Sequence, residues 1–314
     1  MTFRITFVAV AVLLLVAAVG YLLSKGRAVG ERASADLSKI LVYVSQPCLA
    51  VYTFMSTEYS VQKLVDIGIF ALFVLAIHVI IMGVSYLVLR KKCKDPVYRI
   101  MTVATTMANC AFFGIPILEA IFPDVSDDLI IYTVVFAVVM NVIGWTIGSA
   151  IISQNVKYIS VKKLLTNPAL IGATVAMILF VTQTPITEAQ TLFSTITITA
   201  KMSTPISMLV MGMRLASMKI SDVFTDYRVY MTVAVKQFVM PLVAFLLAYA
   251  FHLDVWLARS FFIISACPTA SVVLNYSEIV GAGQKEAASA VLVSTILSIV
   301  TLPIMTLMLP LISW

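Results

Sequence analysis

An all-α protein embedded in a membrane is the fold class this sequence predicts, and three observations predict it. Of its 314 residues, 61% are hydrophobic and only 11% charged, more apolar surface than a water-soluble fold of this size could hide. The apolar residues fall in runs of about 17 to 25, the length that crosses hydrocarbon as a helix. These runs are continuously apolar, whereas the strands of a membrane β-barrel alternate apolar and polar residues in segments of about ten.

Taken in order, spans are expected at Ile5–Leu23, Ser38–Ser56, Ile67–Leu89, Ile100–Ile121, Leu129–Ile152, Asn167–Gln183, Leu192–Met213, Val229–Ala250, Val255–Val280 and Ala287–Ile312, with short connections and no separate soluble domain. Arg4 ahead of the first run is a feature shared with signal peptides. That run is long for a cleaved segment, however, and no small-x-small site precedes Lys25 and Arg27, so it is expected to remain as the first span.

The net charge of +6 does not point to nucleic acid, because its placement has another explanation. Sixteen basic residues fall in alternate connections, among them Lys25, Arg27, Arg32, Lys39, the cluster Arg90 to Arg99, Lys157, Lys162, Lys163, Arg214, Lys219, Arg228 and Lys285. The opposite side holds only Arg4, Lys63 and Arg259. The richer side should be cytoplasmic, which puts both termini outside a plasma membrane, that of a bacterial inner membrane type. Cys48, Cys93, Cys110 and Cys267 form no CxxC pair and have no histidines at ligand spacing. They read as small buried thiols, with no metal site and no cofactor implied.

Five expected spans precede the basic segment at 153–166 and five follow it, dividing the chain into 1–152 and 167–314. An odd number per half inserts the second half in the opposite sense, the architecture of inverted repeats in secondary transporters. Pro47 and Pro116 interrupt the second and fourth spans, and Pro205 and Pro268 the seventh and ninth. Each proline removes one N–H and displaces a carbonyl, and in hydrocarbon such orphaned groups need a protein, water or ligand partner. Prolines that merely kink helices are the plainer alternative, and their register across the halves favours broken helices.

The stretch Asn109-Cys110-Ala111-Phe112-Phe113-Gly114-Ile115-Pro116 resembles the fourth-span signature of the auxin efflux carrier family. That family includes plant auxin carriers and bacterial permeases for malate, malonate and similar acids. Asn167-Pro168-Ala169-Leu170, the segments from Ser203 to Gly212 and from Lys236 to Pro241, Pro268-Thr269-Ala270, and the stretch from Ala287 to Pro303 resemble it in order and spacing along nearly the whole chain. The resemblance implies a fold similar to bile-acid sodium symporters, with the fourth and ninth spans crossing at their broken centres. It implies that Pro116 and Pro268 mark the crossover and that Asn109 and Asn141 line the site. It also implies a scaffold of spans one, two, six and seven against which the others move, and a homodimer through that scaffold. Phe261 stands where symmetry with Asn109 would put an amide, and Asn275 does not align with it, so the two half-sites are unequal.

A new helix N-terminus offers N–H groups and partial positive charge to a carboxylate. The expected substrate is therefore a small carboxylate near Gly114, Pro116, Pro268 and Thr269, with donors from Asn109, Asn141, Ser45 and Ser203. An interhelical packing hydrogen bond is the other reading of Asn141. Lys201 and Lys236 lie inside spans, where a charge is expensive. Lys236, about a turn before Pro241, either offsets substrate charge or binds freed carbonyls, and Lys201 occupies the same place relative to Pro205; the plainer alternative for both is that they snorkel to an interface or stabilise a helix end. Glu119 either titrates with a transported proton or is a solvated end residue, and His78 either handles protons or packs. No catalytic set is present: Ser-His-Asp, HExxH and paired mid-span carboxylates are all missing. The expected partners are the carboxylate and the lipid bilayer. A sodium-coupled symporter of the bile-acid type is the competing transporter.

Overall fold

The computed structural model describes residues 2–30, 32–155, 165–186, 189–218 and 223–314. Lys157, Lys162, Lys163, Lys219 and most of the expected linker 153–166 lie outside the described residues. Among those residues the chain is helical throughout, with no strand beyond one isolated bridge.

Six helices are long and apolar enough to cross a membrane. They are α1 (Thr2–Lys25), α2 (Ala33–Met55), α3 (Val61–Leu89), then, after two short helices, α6 (Ser126–Ser153), α10 (Tyr227–Ala250) and α13 (Gln284–Leu311). The other expected spans are occupied by shorter pieces: α4 (Pro96–Ala104) with α5 (Gly114–Ile121), α7 (Pro168–Val181), α8 (Gln190–Lys201) with α9 (Ser203–Ser217), and α11 (Val255–Ala266) with α12 (Val272–Val280). Leu15 is 67% and Leu72 65% exposed, as suits helix faces turned to lipid rather than water. The chain is a multi-pass membrane protein.

Helix starts are written in the sequence. Asp95, Asn167, Asp226 and Asp254 each precede a helix and accept a hydrogen bond from the first or second turn, with Pro96 and Pro168 in the N–H-free first position. At the start of α10, Arg228 meets Asp226 at 2.6 Å, Asp95 at 2.9 Å and Glu286 at 3.6 Å. The hydrogen bonds from Arg228 hold the Asp226 carboxyl below the ordinary aspartate range. This cluster ties together the first turns of α4, α10 and α13, and Tyr98 and Tyr227 add a hydroxyl contact beside it.

Helix α1 lies along α9 and packs also on α13 and α5, and α2 lies against α7 and α8. The α1–α9 approach depends on glycine: a Cβ at Gly212 would run into the main-chain oxygen of Ala17, so only a hydrogen side chain lets these backbones meet. Elsewhere α3 packs on α6, and Phe70 joins Tyr132 and Phe261 at ring separations of 4.7 and 5.8 Å.

The prolines act one turn upstream of where they stand. Pro116 is the third residue of α5, and the gap it accompanies lies at 105–113. Pro47 follows a wide π-type turn at Leu41–Ser45 inside an otherwise continuous α2, and Pro241 follows another at Val235–Val239. Pro205 follows the joint at Met202 between α8 and α9. The cause is the carbonyl four residues back, which the ring displaces. Pro268 alone of these five sits within its gap, between Ala266 and Val272.

Candidate functional site

The two gaps meet. Segments 107–109 and 268–270 run antiparallel, with Asn109 N–H donating to the Pro268 carbonyl at 2.7 Å and Ala270 N–H to that of Met107 at 2.9 Å. Thr269 N–H donates to Ser294 Oγ at 2.9 Å, and Ala108 N–H reaches Met140 Sδ at 3.2 Å. The amides at the crossing, expected to stay free for a ligand, therefore satisfy one another and their neighbours, as buried backbone must. The crossing is a rigid knot, and the open space lies beside it.

That space is a cavity of about 220 Å³, below the roughly 300–1,000 Å³ of pockets that take drug-sized ligands. Cys110, Ala111 and Phe112 border it ahead of α5, and Ala270 and Ser271 border it ahead of α12. The first turn of α12 thus opens toward it, while the first turn of α5 lies behind the turn at 110–113. Asn109 and Asn141 line it, together with Gln46, Ser38, Asn167, Ser207, Arg214 and Asn275. Among the lining residues Arg214 is the only charged one.

Asn109 lines the cavity, and its side-chain amide makes no hydrogen bond among the described residues. Asn141 is more committed: its Nδ2 donates to the Ala137 carbonyl at 2.7 Å, and its Oδ1 accepts from Asn167 at 3.4 Å. Asn167 in turn caps α7, accepting from Ala169 N–H at 2.9 Å.

The remaining expected residues lie outside the lining. Gly114, Pro268 and Thr269 are buried behind the cavity, and Pro116 is half-buried in α5. Gly114 faces Cys267 and Thr133 with room for a methyl group, so close approach is not what requires glycine there. Ser45 and Ser203 are buried in α2 and α9, their hydroxyls without a hydrogen-bond partner among the described residues. Glu119 is exposed on α5, and Lys201 is exposed with its ammonium 5.8 Å from the Tyr52 ring. All four cysteines are free thiols, with Cys93, Cys110 and Cys267 buried.

Lys236 is fully buried, and its Nζ donates to the Ser265 carbonyl at 2.6 Å. That carbonyl is among the last four of α11, which have no helical N–H partner. Gln237, next in sequence, donates to the Ser294 carbonyl at 2.7 Å. The wide turn of α10 lets these two consecutive side chains both point inward. His78 Nδ1–H donates to the Val74 carbonyl at 2.7 Å in its own helix, and its ring packs 5.1 Å from Phe136.

A family model described as membrane transport protein matches residues 5–162 and 154–306. The chain belongs to that family, the one the segment around Asn109 resembles. It is a membrane transporter. No curated protein matches the chain.

Several polar lining residues of the transporter carry no site signal in the sequence, among them Gln46, Ser207, Asn275 and Arg214. Asn275 lies seven residues after Pro268, on the far side of the gap from Phe261, which is buried in the aromatic cluster with Phe70 and Phe73. Arg214 stands one residue beyond the expected seventh span and was counted with the cytoplasmic charges. Its spacing from Ser207 and Met211 is i+7 and i+3, which puts the three on one helix face.

Proposed function

We propose that this transporter carries a small organic anion, a carboxylate such as malate, malonate or an auxin-like acid, across the plasma membrane by alternating access. One observation carries the reading: the cavity beside the crossing holds a cation, several amides and the first turn of α12, and no acidic side chain among the described residues. Such surroundings favour a carboxylate over a neutral or cationic solute.

In this reading α4 with α5, α7, α8 with α9, and α11 with α12 complete ten crossings in two inverted five-helix halves, 1–152 and 167–314. Helices α1, α2, α7, α8 and α9 form the scaffold, and the rest move against it, carrying the knotted crossing as one body. Both termini face outward, and the scaffold joins two copies. The close α1–α9 packing supports a stiff scaffold, and the ionic cluster at Arg228 supports a moving group held together at one end.

Uptake of labelled malonate or succinate into proteoliposomes, first without a gradient and then under a proton or a sodium gradient, tests the proposal. Accumulation above empty vesicles supports it, and accumulation that requires sodium would favour the bile-acid type of symporter. Asn109→Ala and Asn141→Ala are expected to lower uptake by about tenfold or more, as lost hydrogen bonds to a charged group would. Unchanged uptake in both, at equal protein, would remove the substrate from this cavity.

A further inference from the structure

A second hollow, of about 170 Å³, lies between α3 and α10 and shares no lining residue with the cavity beside the crossing. Helices α3 and α10 pack on each other along the second half of α10, and α4 packs against α3 and against the first half of α10. Between them runs a groove, with Ile81, Val84 and Val88 on one side and Met231, Val235 and Val239 on the other. Val84, Val88, Met231 and Val239 are exposed, so the groove opens on the surface that faces lipid. The hydroxyls along it are engaged with the protein itself: Thr232 donates to the Arg228 carbonyl at 2.9 Å, Thr105 to that of Thr102 at 2.6 Å, and Ser85 meets the Thr105 hydroxyl at 3.4 Å. What remains for an occupant is hydrocarbon, which suits an apolar chain and penalises a polar solute. From Leu89 to Ile81 the groove follows α3 for about 12 Å at the rise of a helix.

The chemistry changes at one end. Tyr98 and Arg228 close the groove there, and Leu89 is followed at once by Arg90, Lys91, Lys92 and, one residue on, Lys94. All four cations are exposed, and none has a carboxylate within ion-pairing distance among the described residues. Lys92 Nζ stands 5.3 Å from the centre of the Tyr98 ring, which puts this charge at the mouth of the groove. Arg228 lies 5.5 Å from the same ring but is held by three carboxylates, so the charge left for a ligand is that of the lysines.

We propose that this groove binds an anionic phospholipid of the surrounding leaflet, with one acyl chain between α3 and α10 and the phosphate on the lysines after α3. Basic residues at a membrane edge are ordinary, and so are apolar faces toward lipid. Here the two are joined end to end, and together they match the two parts of one molecule at the depth where hydrocarbon gives way to headgroup. The proposal concerns a surface apart from the central cavity and does not rest on what that cavity carries.

The test is native mass spectrometry of the purified full-length protein, titrated in detergent with phosphatidylglycerol and with phosphatidylcholine of the same acyl chains. Wild-type protein is expected to bind phosphatidylglycerol about tenfold or more tightly than phosphatidylcholine. Lys91→Gln combined with Lys92→Gln should bring the two lipids to within about threefold of each other. Val84→Trp, which places a ring in the groove, should weaken phosphatidylglycerol by about tenfold or more. Leu87→Trp, on the same helix, equally exposed to lipid and outside the lining, should change it by less than about twofold. Equal binding of the two lipids by the wild type would overturn the proposal without recourse to any variant. A phosphatidylglycerol affinity untouched by Val84→Trp would reduce the effect to diffuse attraction at a basic edge and overturn the groove. Displacement of phosphatidylglycerol by inorganic phosphate alone would make this a site for the free ion and overturn the lipid as its occupant.

Discussion

Asp226 and Lys236 hold their charges by different means, and the difference has measurable consequences. Asp226 sits at the membrane edge, where hydrogen bonds from Arg228 depress its carboxyl in the folded protein. Unfolded, the same group titrates near the ordinary value of about 3.9. Between the two values the unfolded chain binds more protons, so stability rises with pH there. The contribution of Asp226 is complete above its unfolded value and drains away as the pH falls through it toward the depressed one. Asp226→Asn should therefore melt below wild type at pH 7, and the gap should close in acid; melting curves in detergent that stay parallel from pH 7 to pH 3 would deny the linkage. Lys236 is instead fully buried, with its Nζ donating to the Ser265 carbonyl. From sequence Lys236 is open between substrate charge, a freed carbonyl, an interface and a helix end; its partner, a carbonyl in the last turn of α11, lies 29 residues away on another helix and leaves no local pattern.

At the scale of elements, helix existence was legible and helix continuity was not. Apolar runs of membrane length reported most of the helices, and caps such as Asp95 and Asn167 reported where they begin. Prolines reported that a ladder would open, but not how: Pro47 and Pro241 produced wide turns, Pro205 a joint, and only Pro116 and Pro268 accompany full gaps. What converts an opening into a gap is a partner for the released backbone groups, and here each gap is the other's partner. That pairing joins residues about 160 positions apart, beyond any local pattern. The α1–α9 contact offers a direct check on packing. Gly212→Ala should destabilise the protein by about 1–3 kcal/mol, the usual range for overpacking. Gly68→Ala on α3, with no heavy atom within 4 Å of the added methyl, should be neutral or stabilise by up to about 1 kcal/mol through helix propensity. Thermal melting of both variants in detergent measures the contrast, and equal effects would mean that α1 and α9 are not in contact as described.

For the whole molecule, the site emerges from the assembly of elements that are individually ordinary. Asn109 and Asn141 were legible through the family resemblance of the segments that carry them. Gln46, Asn275 and Arg214 were not, since each stands near a break or an end where polar residues are expected anyway, and only the folded arrangement turns them to one cavity. The same arrangement took away the free crossing amides that proline positions had promised and moved the binding space beside them. A structure of the full chain determined with saturating succinate would examine this placement at first hand. Density for the acid is expected between the crossing and α9, within hydrogen-bonding reach of Asn109. An empty cavity at concentrations that drive uptake, or density for the acid at another place in the bundle, would contradict it.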